Sequence, residues 1–253
     1  MKEFSLTSTT SSRAFTGNWI FQKNGSVLTN NLGAEIRLLS SGNSELVFDW
    51  RDHTHGQDRS RILVSVDQRP FVSLVLGNEP FSLPLGSKGK HLVRIMTQSL
   101  TYVKAKTWDL EDYFLLDSIS YQDRLEPCSL YDSQIVFIGD SITNGQKTDA
   151  FISDGAAHRP DFSWDFLLSE ALAADNLRLA YGGCGITQKA NIYPPTAIDF
   201  IWQYAKGKAR QIDYNRKNKA IIVNLGTNDK AASDMEFLFS LKALVRELKK
   251  TFS

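Results

Sequence analysis

A chain of 253 residues is long enough to bury a large core and to form one or two domains. With 42% hydrophobic residues, 23% charged residues and a net charge of +1, it has the composition of an ordinary globular protein. That charge argues against a strong electrostatic hold on nucleic acid or an anionic membrane, and the basic stretch from Lys206 to Lys219 reads as a solvated face. The amino terminus, MKEFSLTSTTSSRAF, has no apolar signal-peptide core, and no apolar run is long enough to span a bilayer. The expectation is therefore a cytoplasmic protein. Cys128 and Cys184 stand alone and form neither a disulfide framework nor a zinc site.

In chain order, the first half reads as strands. AEIRLL, ELVFDW, RILVSVD, FVSLVLG, FSLPLG, HLVRIM and YFLLDSISY follow in quick succession, separated by Gly, Asn, Asp or Pro. Many short strands at close spacing predict a β-sandwich of jelly-roll kind over residues 1–128. Trp19, Trp50 and Trp108 in this half are either a sugar-stacking platform or core. His53 and His55 form a His-x-His pair without a third ligand nearby, and His91 reads as a sheet residue.

The character changes near Cys128. IVFIG, Ile135 to Gly139, is apolar throughout, as a parallel sheet covered on both faces requires. Ser163 can cap a helix whose Trp164, Leu167, Leu168, Ala171 and Leu172 form one apolar stripe. LRLAY, Leu177 to Tyr181, is a second strand, and Ala197 to Ala205 is predicted helical, with Trp202 and Tyr204 packing from it. AIIVNL, Ala220 to Leu225, is a third strand of the buried kind. Ser233 and Glu236 form a capping box opening a helix that buries Phe237, Leu241, Leu244, Val245 and Leu248. Strand alternating with helix predicts an α/β domain with a parallel sheet over residues 129–253.

Ligands in such sheets bind at the carboxyl ends of the strands. Ser141, the glycines Gly182, Gly183 and Gly185, and Asn228 all follow strand ends. Acyl transfer needs a nucleophile, a base and donors for the oxyanion. Ser141 is the candidate nucleophile. Gly185, with Gly183 as second choice, supplies a backbone N–H, and Asn228 a side-chain amide. Asp140 and Asp229 are read as braces that accept loop N–H groups. The pattern calls for no cofactor and no metal.

The second half resembles the SGNH, or GDSL, hydrolase family. GDSIT, Gly139 to Thr143, matches its first block, with Ser141 as nucleophile. YGGCGIT, Tyr181 to Thr187, is similar to its second, and GTND, Gly226 to Asp229, matches its third, with Asn228 as the oxyanion amide. A β-rich domain ahead of it is the arrangement of family two carbohydrate esterases, which remove acetyl groups from plant polysaccharides. GAEIRLL, VSVDQRP and LGSKGKHLVRI resemble their sandwich domain. The resemblance implies a three-layer α/β/α domain and an oligosaccharide acetyl ester as substrate. The family's fourth block, Asp-x-x-His, supplies the general base. None of the four histidines follows Asn228; His158 alone sits in a loop that can approach Ser141. The expectations are an α/β domain lacking its C-terminal part and poor turnover by these residues. Two alternatives stay open: a non-catalytic carbohydrate-binding protein, and an esterase or lipase acting on other acyl esters.

Overall fold

A computed structural model describes residues 1–6, 11–54, 59–100, 107–149, 154–213 and 216–252. His55 lies outside the described residues. Among the described residues the amino-terminal half contains twelve short strands: β1 (Lys2–Glu3), β2 (Phe15–Thr16), β3 (Ile20–Phe21), β4 (Val27–Thr29), β5 (Glu35–Ser41), β6 (Glu45–Arg51), β7 (Arg61–Val66), β8 (Val72–Val75), β9 (Phe81–Pro84), β10 (Lys90–Ser99), β11 (Phe114–Tyr121) and β12 (Arg124–Pro127). They form two antiparallel sheets. One runs β3-β4-β11-β6-β9, with β1 added to β11. The other runs β12-β5-β10-β7-β8, with β2 added to β5. Alternation explains the packing: Leu46, Phe48 and Trp50 of β6 point inward and are fully buried, while their neighbours turn outward. They meet Ile36, Leu38, Val93 and Ile95 of the second sheet in one core. Trp19, Trp50 and Trp108 are all buried, so they are core and not a sugar platform.

β5 and β10 are buried on both faces, which sandwich alternation alone does not explain. Their outer face carries charge. Arg94 lies opposite Arg37 in the ladder, and Glu35 bonds both guanidinium groups. Toward the parallel-sheet half, Arg37 pairs with Asp175, and Arg94 makes two 3.1 Å bonds to Glu170. Burial pushes the Glu35 carboxyl up, but the charges of Arg37 and Arg94 outweigh it and hold it below the ordinary glutamate range.

The second half holds β13 (Ser133–Gly139), α1 (Trp164–Ala171), β14 (Asp175–Ala180), α2 (Ala197–Trp202), the hairpin β15 (Gln203–Ala205) with β16 (Lys208–Ala209), β17 (Lys217–Asn224) and α3 (Asp234–Phe252). The parallel sheet runs β14-β13-β17. From β13, Val136 and Ile138 face α2 and α3, while Ile135 and Phe137 face α1. This makes three layers, α/β/α, and the fold class is mixed α/β as the sequence implies.

Local expectations fail in five places. The helix expected over Ala197 to Ala205 stops at Trp202, and Tyr204 lies in a strand. Ser163 stands at the helix start, but its hydroxyl donates to the Pro160 carbonyl and accepts from Arg178 instead of capping. In α1 the buried residues are Asp165, Phe166 and Ser169, and Leu167 is 52% exposed. The reason is that α1 is wedged between sheet and sandwich. Asp165 pairs with buried Arg178 at 2.7 Å, Phe166 packs on Phe71, and only Trp164 and Leu168 keep to the sheet side. β17 is half-exposed rather than buried, because among the described residues it pairs with β13 alone. On α3, Val245 is 41% exposed, whereas Leu244, Leu248, Thr251 and Phe252 are buried. The Ser233–Glu236 capping box is present, and its hydrogen bonds hold the Glu236 carboxyl below its usual range.

Candidate active site

The loops after β13, β14 and β17 meet at the carboxyl edge of the parallel sheet. A tight turn follows β13, closed by Asn144 N–H to Asp140 O at 3.0 Å and Gln146 N–H to Ser141 O at 3.1 Å. Gly139 is required there, since a Cβ would overlap the Thr143 side chain. Asp140 is buried, and its Oδ1 accepts the Ile142 N–H at 2.9 Å. Ser141 is half-buried at the head of this turn, and its hydroxyl bonds no described residue. An uncommitted hydroxyl at a strand end is open to an incoming carbonyl carbon.

Asn228 joins the three loops. Its Nδ2 donates to Asp140 Oδ2 at 3.0 Å and to the Cys184 carbonyl at 2.9 Å. Its Oδ1 accepts from Asn191 Nδ2 at 3.0 Å, and Asn191 N–H donates to the Asn228 carbonyl at 3.1 Å. Both amide hydrogens are thus engaged in the resting molecule. Donation to an oxyanion at Ser141 requires one of these bonds to be given up. Asn191 fixes which end of the Asn228 amide faces Asp140, and nothing in the sequence marks it for that task.

Asp229 braces the loop after β14. Its Oδ2 accepts Ile186 N–H at 3.0 Å, and its Oδ1 accepts Thr187 N–H at 2.8 Å and Thr187 Oγ1 at 2.7 Å. The backbone of Gly185 lies against that carboxylate: a Cβ would come within 2.6 Å of Cγ and Oδ1. Gly183 takes a positive φ of 81°, and its carbonyl accepts Ile192 N–H at 3.0 Å. Gly226, at φ 123°, begins the turn that closes with Asp229 N–H on its carbonyl at 3.1 Å.

No described histidine is hydrogen-bonded to Ser141. Buried His158 accepts the Lys147 N–H on Nδ1 at 3.3 Å. It lines a small pocket of about 40 Å³ with Asn144, Gln146, Gly182, Cys184 and, from the sandwich, Asn30. His53 stacks on Tyr113 with ring centroids 5.6 Å apart, and His91 belongs to β10. Among the described residues no cluster of His, Cys, Asp or Glu is placed to hold a metal ion.

Residues 135–250 match the family model of the GDSL-like lipase/acylhydrolases. This stretch of the chain is similar to the GDSL-like acylhydrolases. The fold, an antiparallel sandwich followed by a parallel sheet with helices, is shared with solved family two carbohydrate esterases. The enzyme of that family from Cellvibrio japonicus superposes with a TM-score of 0.80 at 21% identity, covering 96% of this chain and 74% of that one. One from Clostridium thermocellum, in complex with cellohexaose, gives 0.78 at 16% identity, over 94% and 74%. The acetyl xylan esterase Est2A from Butyrivibrio proteoclasticus gives 0.77 at 16% identity, over 100% and 79%. No curated protein sequence matches the chain.

Proposed function

We propose that this protein is an acylhydrolase acting on O-acetyl esters of carbohydrates, with Ser141 as the nucleophile. The observation that carries the reading is Asn228, whose amide bonds ties the loops of all three strand ends into one site beside Ser141. Ser141 Oγ attacks the acetyl carbonyl, and the Ser141 and Gly185 N–H groups and the Asn228 amide hold the charge on its oxygen. The sugar alcohol departs with a proton, and water then releases acetate. The sandwich ahead of the domain, and the carbohydrate esterases that share the whole fold, favour a sugar ester over a lipid. The test is acetate release from acetylated xylo-oligosaccharides by the wild type and by Ser141→Ala. Release that depends on Ser141 supports the reading; equal release by both rejects it.

A second reading is a carbohydrate-binding protein without turnover, favoured by the cellohexaose complex of a carbohydrate esterase that shares the fold. Isothermal titration with acetylated and plain oligosaccharides separates the two. Saturable heat without acetate release supports the second, and no heat with any glycan removes it.

A further inference from the structure

Two turns of the sandwich bring a serine, a histidine and an aspartate into line, away from Ser141. His91 begins the inner part of β10, while Gln98, near the other end of that strand, bonds the His158 carbonyl beside the acylhydrolase loops. At 3.3 Å per residue the two positions are about 23 Å apart.

His91 Nδ1 lies 2.8 Å from Asp67 Oδ2, and His91 Nε2 lies 3.0 Å from Ser87 Oγ. An ionised carboxylate only accepts, so Nδ1 carries the hydrogen and Nε2 presents its lone pair to the Ser87 hydroxyl. Asp67 is itself fixed: Oδ1 accepts Leu92 N–H at 3.0 Å, and its own N–H donates to the Leu92 carbonyl at 2.8 Å. The His91 ring is buried, while Ser87 is exposed. At Gly89 a Cβ would stand 3.3 Å from Ser87 Oγ and 3.6 Å from His91 Nε2, so the glycine leaves the approach to both atoms open. Its N–H donates to Ser87 Oγ at 3.3 Å.

We propose that Ser87, His91 and Asp67 form a second nucleophilic site that accepts acyl groups from small activated esters. Ser87 Oγ bonds to the carbonyl carbon while its proton passes to His91 Nε2. The bond to the leaving alcohol then breaks, and the alcohol departs with the proton from Nε2. Water repeats the sequence to free the acid. Asp67 holds the ring in the tautomer this needs. Ser87, Lys88, Gly89 and Lys90 are all exposed, so nothing encloses a large alcohol. The substrate class is therefore small esters with good leaving groups, and Lys88 and Lys90 favour an anionic one.

The test is labelling of the full chain with a fluorophosphonate, followed by tryptic mass mapping. The serine oxygen displaces fluoride, and His91 takes the proton. Ser87 and Ser141 fall on different peptides, ending at Lys88 and Lys147, so each is read separately. The expected result is a labelled Ser87, with a rate that falls about 10²-fold in His91→Gln and in Asp67→Asn. An unlabelled Ser87, whatever happens at Ser141, overturns the proposal. So does an unchanged labelling rate in His91→Gln. Should that variant not fold, Asp67→Asn decides alone, and an unchanged rate there overturns it equally.

Discussion

Gly185→Ala is the sharpest perturbation of the active-site scaffold. The new methyl would lie 2.6 Å from Asp229 Cγ and Oδ1, with Oδ2 nearer still, where ordinary contact starts at 3.4 Å. The carboxylate must retreat by about 1 Å, because the packed interior yields little. That retreat stretches its bonds from Ile186 N–H at 3.0 Å, Thr187 N–H at 2.8 Å and Thr187 Oγ1 at 2.7 Å. Hydrogen bonds to a charged acceptor contribute about 1.5–3 kcal/mol each, so losing one or two costs about 3 kcal/mol. Urea unfolding followed by fluorescence measures it. Gly207→Ala is the control: φ is +69° and nothing lies within 4 Å of its Cβ, so only backbone strain of about 1 kcal/mol is expected. Combining Gly185→Ala with Asp229→Ala removes the clash. The double variant should then be no less stable than Asp229→Ala alone. Strictly additive effects, or a Gly185→Ala protein within about 0.5 kcal/mol of wild type, would refute the reasoning.

Three further outcomes follow from the interface, its helix and the Asn228 loop. Glu35→Gln leaves Arg37 and Arg94 short of a buried partner and should cost about 3 kcal/mol at pH 7. Since the folded Glu35 carboxyl sits below its unfolded value, its contribution is full above the unfolded pKa of about 4.3 and disappears as pH falls through the folded one. The gap between wild type and Glu35→Gln should therefore close below about pH 4 in urea titrations; a gap that widens contradicts the pairing. On α1, Phe166→Ala should lower stability by about 3 kcal/mol and Leu167→Lys by less than about 0.5, measured by thermal unfolding, with the reverse order expected had the apolar stripe been the buried face. Asn191→Ala frees Asn228 to flip, and should slow Ser141-dependent ester cleavage about tenfold while leaving KM unchanged.

The sequence carried the strands well where a strand obeys one environment. ELVFDW alternates, and its inward residues are the buried ones. IVFIG is apolar on both sides because helices cover both sides. It failed where an element answers to a second domain. The buried face of α1 is set by Arg178 and Phe71, and Glu170 at its end by Arg94, 76 residues away. No period within the helix encodes them. The strand-end glycines were legible as close approaches, but that Asp229 is what crowds Gly185 required coordinates. Asn191 was invisible, because an asparagine in a loop has no pattern. His91 was read as a sheet residue, which it is; its partner Asp67 lies 24 residues upstream in a turn that only the fold brings near. Cys128 is half-buried, and burial raises its thiol pKa.

The most direct test of the central claim is Ser141-dependent hydrolysis of p-nitrophenyl acetate with and without added imidazole. If Ser141 is the nucleophile and no described histidine is hydrogen-bonded to it, its reaction should respond to a supplied base. After subtraction of the solution reaction, the wild type should accelerate about tenfold or more with imidazole, and Ser141→Ala should not respond. Equal rates for wild type and Ser141→Ala under both conditions would contradict the account.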